Sequence, residues 1–107
     1  KLSKDVHLAA QSTATVVILM GMSKLSEIVS VFKKYNKSNI PTAIIQNGTT
    51  SSEKIGVGTI DSILEVVEQQ KLGSPAIIVI GEVVTESSKL RSFYEQIAIN
   101  NSLYNLF

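Results

Sequence analysis

Three short segments of the chain consist almost entirely of apolar and β-branched residues. They span residues 15–20 (TVVILM), 42–46 (TAIIQ) and 76–80 (AIIVI). Strands that lack a polar face are typical of sheets covered on both sides. We therefore predict that these segments are central or near-central strands of one sheet.

A fourth strand is predicted over residues 53–57, where polar and apolar positions alternate. A short polar loop, which contains the turn pair Asn47-Gly48, joins it to the strand at 42–46. Parallel neighbours need a crossover connection of about a dozen residues or more, so this short loop predicts antiparallel pairing.

Amphipathic helices are predicted between the strands. The first covers residues 24–36, with Ser23 as its N-cap and a lysine-rich end that we interpret as a solvated helix terminus rather than an anion site. The second begins after the N-cap Thr59 and ends before Gly73. Their apolar positions follow helical spacing and are Leu25, Ile28, Val29 and Phe32 in the first, and Ile60, Ile63, Leu64 and Val67 in the second.

Two further helices are predicted near the ends of the chain. A short one lies at residues 4–10, and a longer one covers residues 87–98, where Leu90, Phe93, Tyr94 and Ile97 form one stripe. The main order of elements is therefore β-α-β-β-α-β-α. It predicts an α/β fold, namely a three-layer α/β/α sandwich with a mixed, mostly parallel sheet.

Ligands of open α/β sheets bind beyond the carboxyl ends of the strands. The loops that begin at Met20, Asn47 and Gly81 follow three predicted strands. In a mostly parallel sheet these loops would meet at one edge, so we predict a ligand crevice there.

Composition narrows the possible functions. The 107 residues, of which 44% are hydrophobic, fit a single domain. A net charge of +1 shows no electrostatic footprint for nucleic acid or an anionic membrane, and the longest apolar run is too short to span a bilayer. The absence of cysteine and the single histidine, His7, argue against thiolate chemistry and metal centres. We expect no metal and a cytoplasmic location.

Known phosphate-binding motifs do not fit this sequence. Gly56-Val57-Gly58 is an isolated GxG, and Asp61 stands where a dinucleotide loop would need its third glycine. Glu82, at a strand end, is interpreted as a loop carboxylate or helix cap rather than an acid–base catalyst. The residues alone predict an α/β domain with a ligand crevice, and no catalytic residue is assigned.

Three strings carry a resemblance to a known family. They are TVVILMGM at residues 15–22, IPTAIIQNGTTSSEKIGVGTI at 40–60 and SPAIIVIGEVV at 74–84. In this order and spacing they resemble the C-terminal half of the uroporphyrinogen-III C-methyltransferase family, which belongs to the tetrapyrrole methylases. The resemblance covers about residues 5–93, whereas the tail at 98–107 matches no part of the family pattern.

The resemblance implies a cofactor and its contacts. Family enzymes bind S-adenosyl-L-methionine between two α/β domains and transfer methyl groups to uroporphyrinogen III, which gives precorrin-2 for sirohaem and cobalamin biosynthesis. Cofactor contacts would come first from Met20 and Gly48 and then from Pro75 and Ala76, with Gly21 and Thr49 beside them. Met20 and Gly48 are expected to share one concave surface.

The resemblance also implies what this chain lacks. The family's N-terminal half carries a GAGPGD-like loop and most of the tetrapyrrole trough, and neither occurs here. We expect residues 1–107 to be a single domain from a longer enzyme, inactive alone, whose partners are that N-terminal domain, a tetrapyrrole substrate and a second copy in a homodimer. The alternatives are a domain of a precorrin, diphthamide or ribosomal RNA methylase, or an α/β binding module without chemistry.

Overall fold

The computed structural model describes residues 4–19, 21–48, 50–86 and residue 90. This part of the chain contains four strands and three α-helices, with 3₁₀ turns at Met22–Lys24 and Glu82–Thr85. The strands are β1 (Val16–Leu19), β2 (Pro41–Gln46), β3 (Lys54–Thr59) and β4 (Ala76–Ile80), and the helices are α1 (Lys4–Gln11), α2 (Leu25–Lys34) and α3 (Ile63–Gln70).

The four strands form one sheet in the order β1-β4-β2-β3, and every pair of neighbours is antiparallel. Ile78 of β4 lies between Ile18 of β1 and Ile44 of β2, which fixes the register across the centre. The prediction of a mostly parallel sheet is therefore wrong. The α/β class and the antiparallel pairing of the segment 53–57 with β2 are confirmed.

The antiparallel sheet results from two interleaved crossover units. β1 and β2 run in the same direction and are joined through α2, and β3 and β4 are likewise joined through α3. Each unit alone is the strand–helix–strand arrangement that the sequence predicts. However, β4 inserts between β1 and β2, so each strand pairs with members of the other unit. Among the described strands β2 and β4 are central, whereas β1 is at the edge, contrary to its predicted central place.

All three helices pack on the same face of the sheet. The core beneath them contains Ile18, Ile44 and Ile78 from the strands, with Ile28 from α2 and Ile63 from α3, and each of these five side chains is fully buried. Burial of such large apolar side chains contributes about 1.5–3 kcal/mol each to the free energy of unfolding. This face is the main core of the domain.

The other face of the sheet carries a smaller core. Val17, Ala43 and Val79 pack there with Val84, from the second 3₁₀ turn, and with Leu90. This packing begins a third layer after β4. The helix predicted over residues 87–98 lies outside the described residues except for Leu90, which is helical and buried.

Several helix boundaries differ from those predicted. A 3₁₀ turn precedes α2, so Lys24 rather than Ser23 occupies the N-cap position, and no side-chain hydrogen bond caps it. The N-cap of α3 is Ser62 rather than Thr59, and its hydroxyl accepts a hydrogen bond from the Thr59 amide instead. Leu64, predicted to face the core, is 40% exposed, whereas Val66 and Val67 pack against the main core.

Candidate functional site

One end of the sheet collects both strand ends and strand beginnings. β1 and β2 finish there at Leu19 and Gln46, and because β3 and β4 run the other way, Lys54 and Ala76 begin there. We call this edge the site end. It brings together segments that are far apart in the sequence, and a cavity lies there.

A pocket of about 390 Å³ lies at the site end and opens to solvent. Its size falls within the range of small-molecule sites, which is about 300–1,000 Å³. The lining combines apolar strand residues with a polar turn and the beginning of β4. The lining residues are Leu19, Ile45, Asn47, Gly48, Thr50, Pro75, Ala76 and Ile77.

The polar side of the pocket is a tight turn after β2. Asn47 has a φ of 52°, in the left-handed region that asparagine tolerates better than most residues. Its carbonyl accepts hydrogen bonds from the Thr50 amide at 3.2 Å and from the Thr50 hydroxyl at 2.6 Å. These bonds hold Asn47 and Gly48 in place, so Gly48 presents bare backbone to the pocket.

The turn is tied to the segment that leads into β4. The Asn47 amide donates to the Pro75 carbonyl at 3.0 Å, and the Gly73 amide donates to Oε1 of Gln46 at 2.8 Å. Two sides of the pocket are therefore connected by hydrogen bonds rather than by packing alone. Such connections preorganise a site before a ligand arrives.

The structure brings together three of the residues proposed from the sequence. Gly48, Pro75 and Ala76 all line the pocket, whereas Gly21 is buried just after β1 and is not part of the lining. Met20 and Thr49 lie outside the described residues. Leu19, the residue before Met20, lines the pocket, so the chain leaves β1 at this cavity.

The loop at Gly81 lies at the opposite end of the sheet. The Gly81 amide donates to the carbonyl of Pro41, the first residue of β2. The prediction that three post-strand loops meet at one edge is wrong for this loop, because β4 runs antiparallel to β1 and β2. The same reversal carries Pro75 and Ala76 to the site end.

The pattern of the sequence did not reveal the apolar floor of the pocket. Leu19, Ile45 and Ile77 lie on the face of the sheet opposite to the helices, where Ile45 is fully buried and the other two are partly buried. In the sequence they are indistinguishable from other strand residues. Only the pairing of Ile45 and Leu19 with Ile77 shows that they are neighbours.

The described lining residues include no acid, base or cation. The pocket thus offers an apolar floor, backbone polar groups and two small polar side chains, which suits binding rather than proton transfer. A second cavity, of about 40 Å³, lies at the opposite end beside Lys37 and Glu82, and its volume suits one or two water molecules.

Neither a metal-binding cluster nor a membrane-spanning helix occurs among the described residues. Within that part of the chain no group of three or more His, Cys, Asp or Glu side chains is placed to hold a metal ion. No helix there has the length and apolar character needed to cross a membrane.

Comparison with known proteins gives clear relatives, although no family model matches the chain. The chain is 38% identical over 88 residues to the siroheme synthase of Actinobacillus succinogenes, which is 81% of this chain and 18% of that protein. It is 36% identical over 81 residues to the S-adenosyl-L-methionine-dependent uroporphyrinogen III methyltransferase of Methanosarcina barkeri, which is 75% of this chain and 32% of that protein. The chain thus spans about a fifth to a third of these relatives.

Solved structures have the same fold. A cobalt precorrin-4 methyltransferase matches with a TM-score of 0.67 at 16% identity, over 71% of this chain and 32% of that one. The uroporphyrin-III C-methyl transferase from Thermus thermophilus, complexed with S-adenyl homocysteine, matches with a TM-score of 0.64 at 23% identity, over 76% of this chain and 36% of that one.

The fold is thus that of the tetrapyrrole methyltransferase structures to which the chain is similar. The curated relatives are uroporphyrinogen-III C-methyltransferases and siroheme synthases. Over about three quarters of its length, the chain is similar to uroporphyrinogen-III C-methyltransferases. The resemblance seen in its three sequence strings is confirmed.

Proposed function

We propose that this chain forms one wall of the S-adenosyl-L-methionine site in an enzyme that methylates uroporphyrinogen III. The observation that carries the proposal is the pocket at the site end, which Gly48, Pro75 and Ala76 line together. A relative that shares 36% identity is named for S-adenosyl-L-methionine dependence and for uroporphyrinogen III. The pocket and the relatives thus support the same ligand.

The shape and chemistry of the pocket fit an adenosyl group. Leu19, Ile45 and Ile77 provide an apolar floor for an adenine ring, and Gly48 lets a nucleoside approach the backbone closely. Pro75 and Ala76 form the adjoining side, where exposed Pro75 offers an apolar surface. In this proposal Met20 also contacts the cofactor, and Gly21 and Thr49 flank these contacts.

The uncharged lining of the pocket determines which roles we assign to the cofactor and which to the protein. When bound, the cofactor supplies a sulfonium methyl group that is already activated for transfer to a ring carbon. The described pocket residues hold and orient the adenosyl part, and orientation of reactants supplies much of the acceleration in such reactions. The groups that handle protons on the substrate come from an N-terminal domain, for which residues 1–107 form the C-terminal partner.

The assembly follows from the same proposal. The complete enzyme binds a tetrapyrrole substrate, works as a homodimer and resides in the cytoplasm. The open side of the pocket faces the N-terminal domain, because a site for a cofactor and a large substrate must enclose both. Ligand sites usually bury about 70–90% or more of a small molecule.

A titration followed by NMR tests the cofactor wall. ¹⁵N-labelled chain is titrated with S-adenosylhomocysteine, the product of methyl transfer, because NMR detects even the weak binding expected of a single wall. We expect the amide shifts of Gly48, Ala76 and Ile77 to change in a saturable way. The amides of Ser12 and Glu82, beside the small cavity at the opposite end, serve as the internal control.

The outcomes separate the hypotheses. Saturable shifts at the site end support the proposal, and an absence of shifts at millimolar ligand overturns the cofactor assignment. A chimera in which this chain replaces the matching segment of the Methanosarcina barkeri relative then tests the substrate. Formation of precorrin-2 from uroporphyrinogen III supports it, whereas a folded chimera that binds the cofactor without turnover assigns the chain to another substrate.

A further inference from the structure

The connection between α3 and β4, residues 71–75, forms part of the wall of the pocket. It begins at Lys71, whose φ of 54° ends the helix, and Leu72 then anchors it in the main core with 7% exposure. Beyond Leu72 the chain turns away from the core, and Ser74 and Pro75 are exposed. The part that reaches the pocket is therefore held by something other than apolar packing.

Gln46 supplies a hydrogen bond at this point. Its Oε1 accepts from the Gly73 amide at 2.8 Å, and the amide of the next residue, Asn47, donates to the Pro75 carbonyl at 3.0 Å. A Cβ at Gly73 would meet no atom within 4 Å, so the side of Gly73 on which a side chain would stand is open. Gln46, the last residue of β2, thus holds Gly73, and the next residue, Asn47, holds Pro75.

Gln46 does not line the pocket itself. It lies opposite Ala76 on one side and Lys54 on the other in the antiparallel ladder. Its effect on a ligand must pass through Gly73 to Pro75 and Ala76, whose backbone it helps to fix. This placement is that of a residue that positions a wall without touching what binds there.

We infer that Gln46 is a positioning residue for the adenosyl ligand, through its hydrogen bond to Gly73. This inference rests on the proposed function, since it concerns the same pocket. Gln46 would therefore increase the affinity for the ligand without contacting the ligand. For this role, residue 46 needs a hydrogen-bond acceptor at the end of a side chain as long as that of glutamine.

Three variants of the chain test the inference. Gln46→Leu keeps the size of the side chain but removes the acceptor, and Gln46→Glu keeps an acceptor beside Lys54, whose charge suits a carboxylate. Gln69→Leu is the matched control, because Gln69 is an exposed glutamine of α3 that does not line the pocket. Each variant is titrated with S-adenosylhomocysteine by NMR, and its thermal unfolding and the hydrogen exchange of the Gly73 amide are measured.

We expect Gln46→Leu to weaken binding by about fivefold, as the loss of one hydrogen bond implies. Its Gly73 amide should exchange faster with solvent. Gln46→Glu should restore binding to within about twofold of the parent chain, and Gln69→Leu should leave binding unchanged. Recovery with Gln46→Glu is the decisive result, since a general loss of stability would not depend on an acceptor at this position.

The contrary outcomes are distinguishable. If the parent chain binds and Gln46→Leu binds equally well, the inference is wrong and the proposed function stands. If Gln46→Glu binds as weakly as Gln46→Leu, an acceptor is not what the site requires and the inference is again wrong. If the parent chain shows no binding, the proposed function fails and this inference fails with it, while the exchange of Gly73 still reports whether the hydrogen bond forms.

Discussion

Leu72 occupies the space that a side chain on Gly56 would need. A Cβ built on Gly56 would lie 2.6 Å from Cδ1 of Leu72 and 2.9 Å from Cγ1 of Val66. Real Cβ atoms do not approach other carbons so closely, so the absence of a side chain at Gly56 lets Val66 of α3 and Leu72 pack directly on β3. Gly56, the first glycine of the GxG pattern, thus has a packing role.

Replacement of Gly56 by alanine should destabilise the domain by about 1–3 kcal/mol, because the added methyl group overpacks a filled site. The matched control is Gly73→Ala, where a Cβ meets no atom within 4 Å, and it should change the free energy of unfolding by less than about 0.5 kcal/mol. Urea unfolding of both variants measures the difference. Equal stabilities would show that Leu72 and Val66 move aside without cost.

A tryptophan at position 77 should block the pocket. Ile77 is a partly buried lining residue, so Ile77→Trp should fill the cavity and weaken S-adenosylhomocysteine binding by at least about tenfold. Val57→Trp is the control, since Val57 is 51% exposed and does not line the pocket. NMR titration gives the affinities. Unchanged binding by a folded Ile77→Trp variant would place the ligand elsewhere.

Glycine should be preferred at the end of α3. Lys71 adopts φ 54° and ψ 46°, a left-handed conformation in which a side chain is strained. Lys71→Gly should therefore stabilise the domain by about 0.5–1 kcal/mol. Lys34→Gly, in the last turn of α2, should instead destabilise it by about 0.5–1 kcal/mol. Chemical denaturation of the two variants tests whether the signs are opposite.

The 107-residue chain should fold cooperatively without the rest of an enzyme, because its main core combines one face of the sheet with all three described helices. It should not methylate uroporphyrinogen III, since one wall does not hold the cofactor methyl group against a ring carbon. Thermal unfolding by circular dichroism tests the first statement, and a methyl-transfer assay tests the second. Turnover by the isolated chain would show that its site is self-contained.

The sequence predicted the elements better than their arrangement. The segments VVIL, TAIIQ and AIIVI are strands as expected, because β-branched runs between turn residues have few alternatives. Strand direction was predicted from the absence of a polar face, which usually indicates parallel strands. Here Ala43 and Val79 are buried under Val84 and Leu90, so an antiparallel sheet has apolar residues on both faces. Local sequence patterns do not encode the order of strands in the sheet, such as the insertion of β4 between β1 and β2.

Part of the site was predicted as well, although from a different kind of signal than the strands. Gly48, Pro75 and Ala76 came from the resemblance to a family, and the structure places them around one cavity. Their use as cofactor contacts stays a prediction. The expectation that the Gly81 loop meets the loops at Met20 and Asn47 is wrong, because it depended on parallel strands. The apolar floor at Leu19 and Ile77 depends on strand pairing, which a single sequence does not display.

The insertion of β4 between β1 and β2 has a consequence for the order in which the protein becomes functional during synthesis. The lining of the pocket runs from Leu19 to Ile77, and its last contributors belong to the strand that is made last among the four. A growing chain that ends at β3 lacks one side of the cavity, however well its earlier strands are formed. On the ribosome, the pocket is therefore complete only after β4 has emerged and joined the sheet.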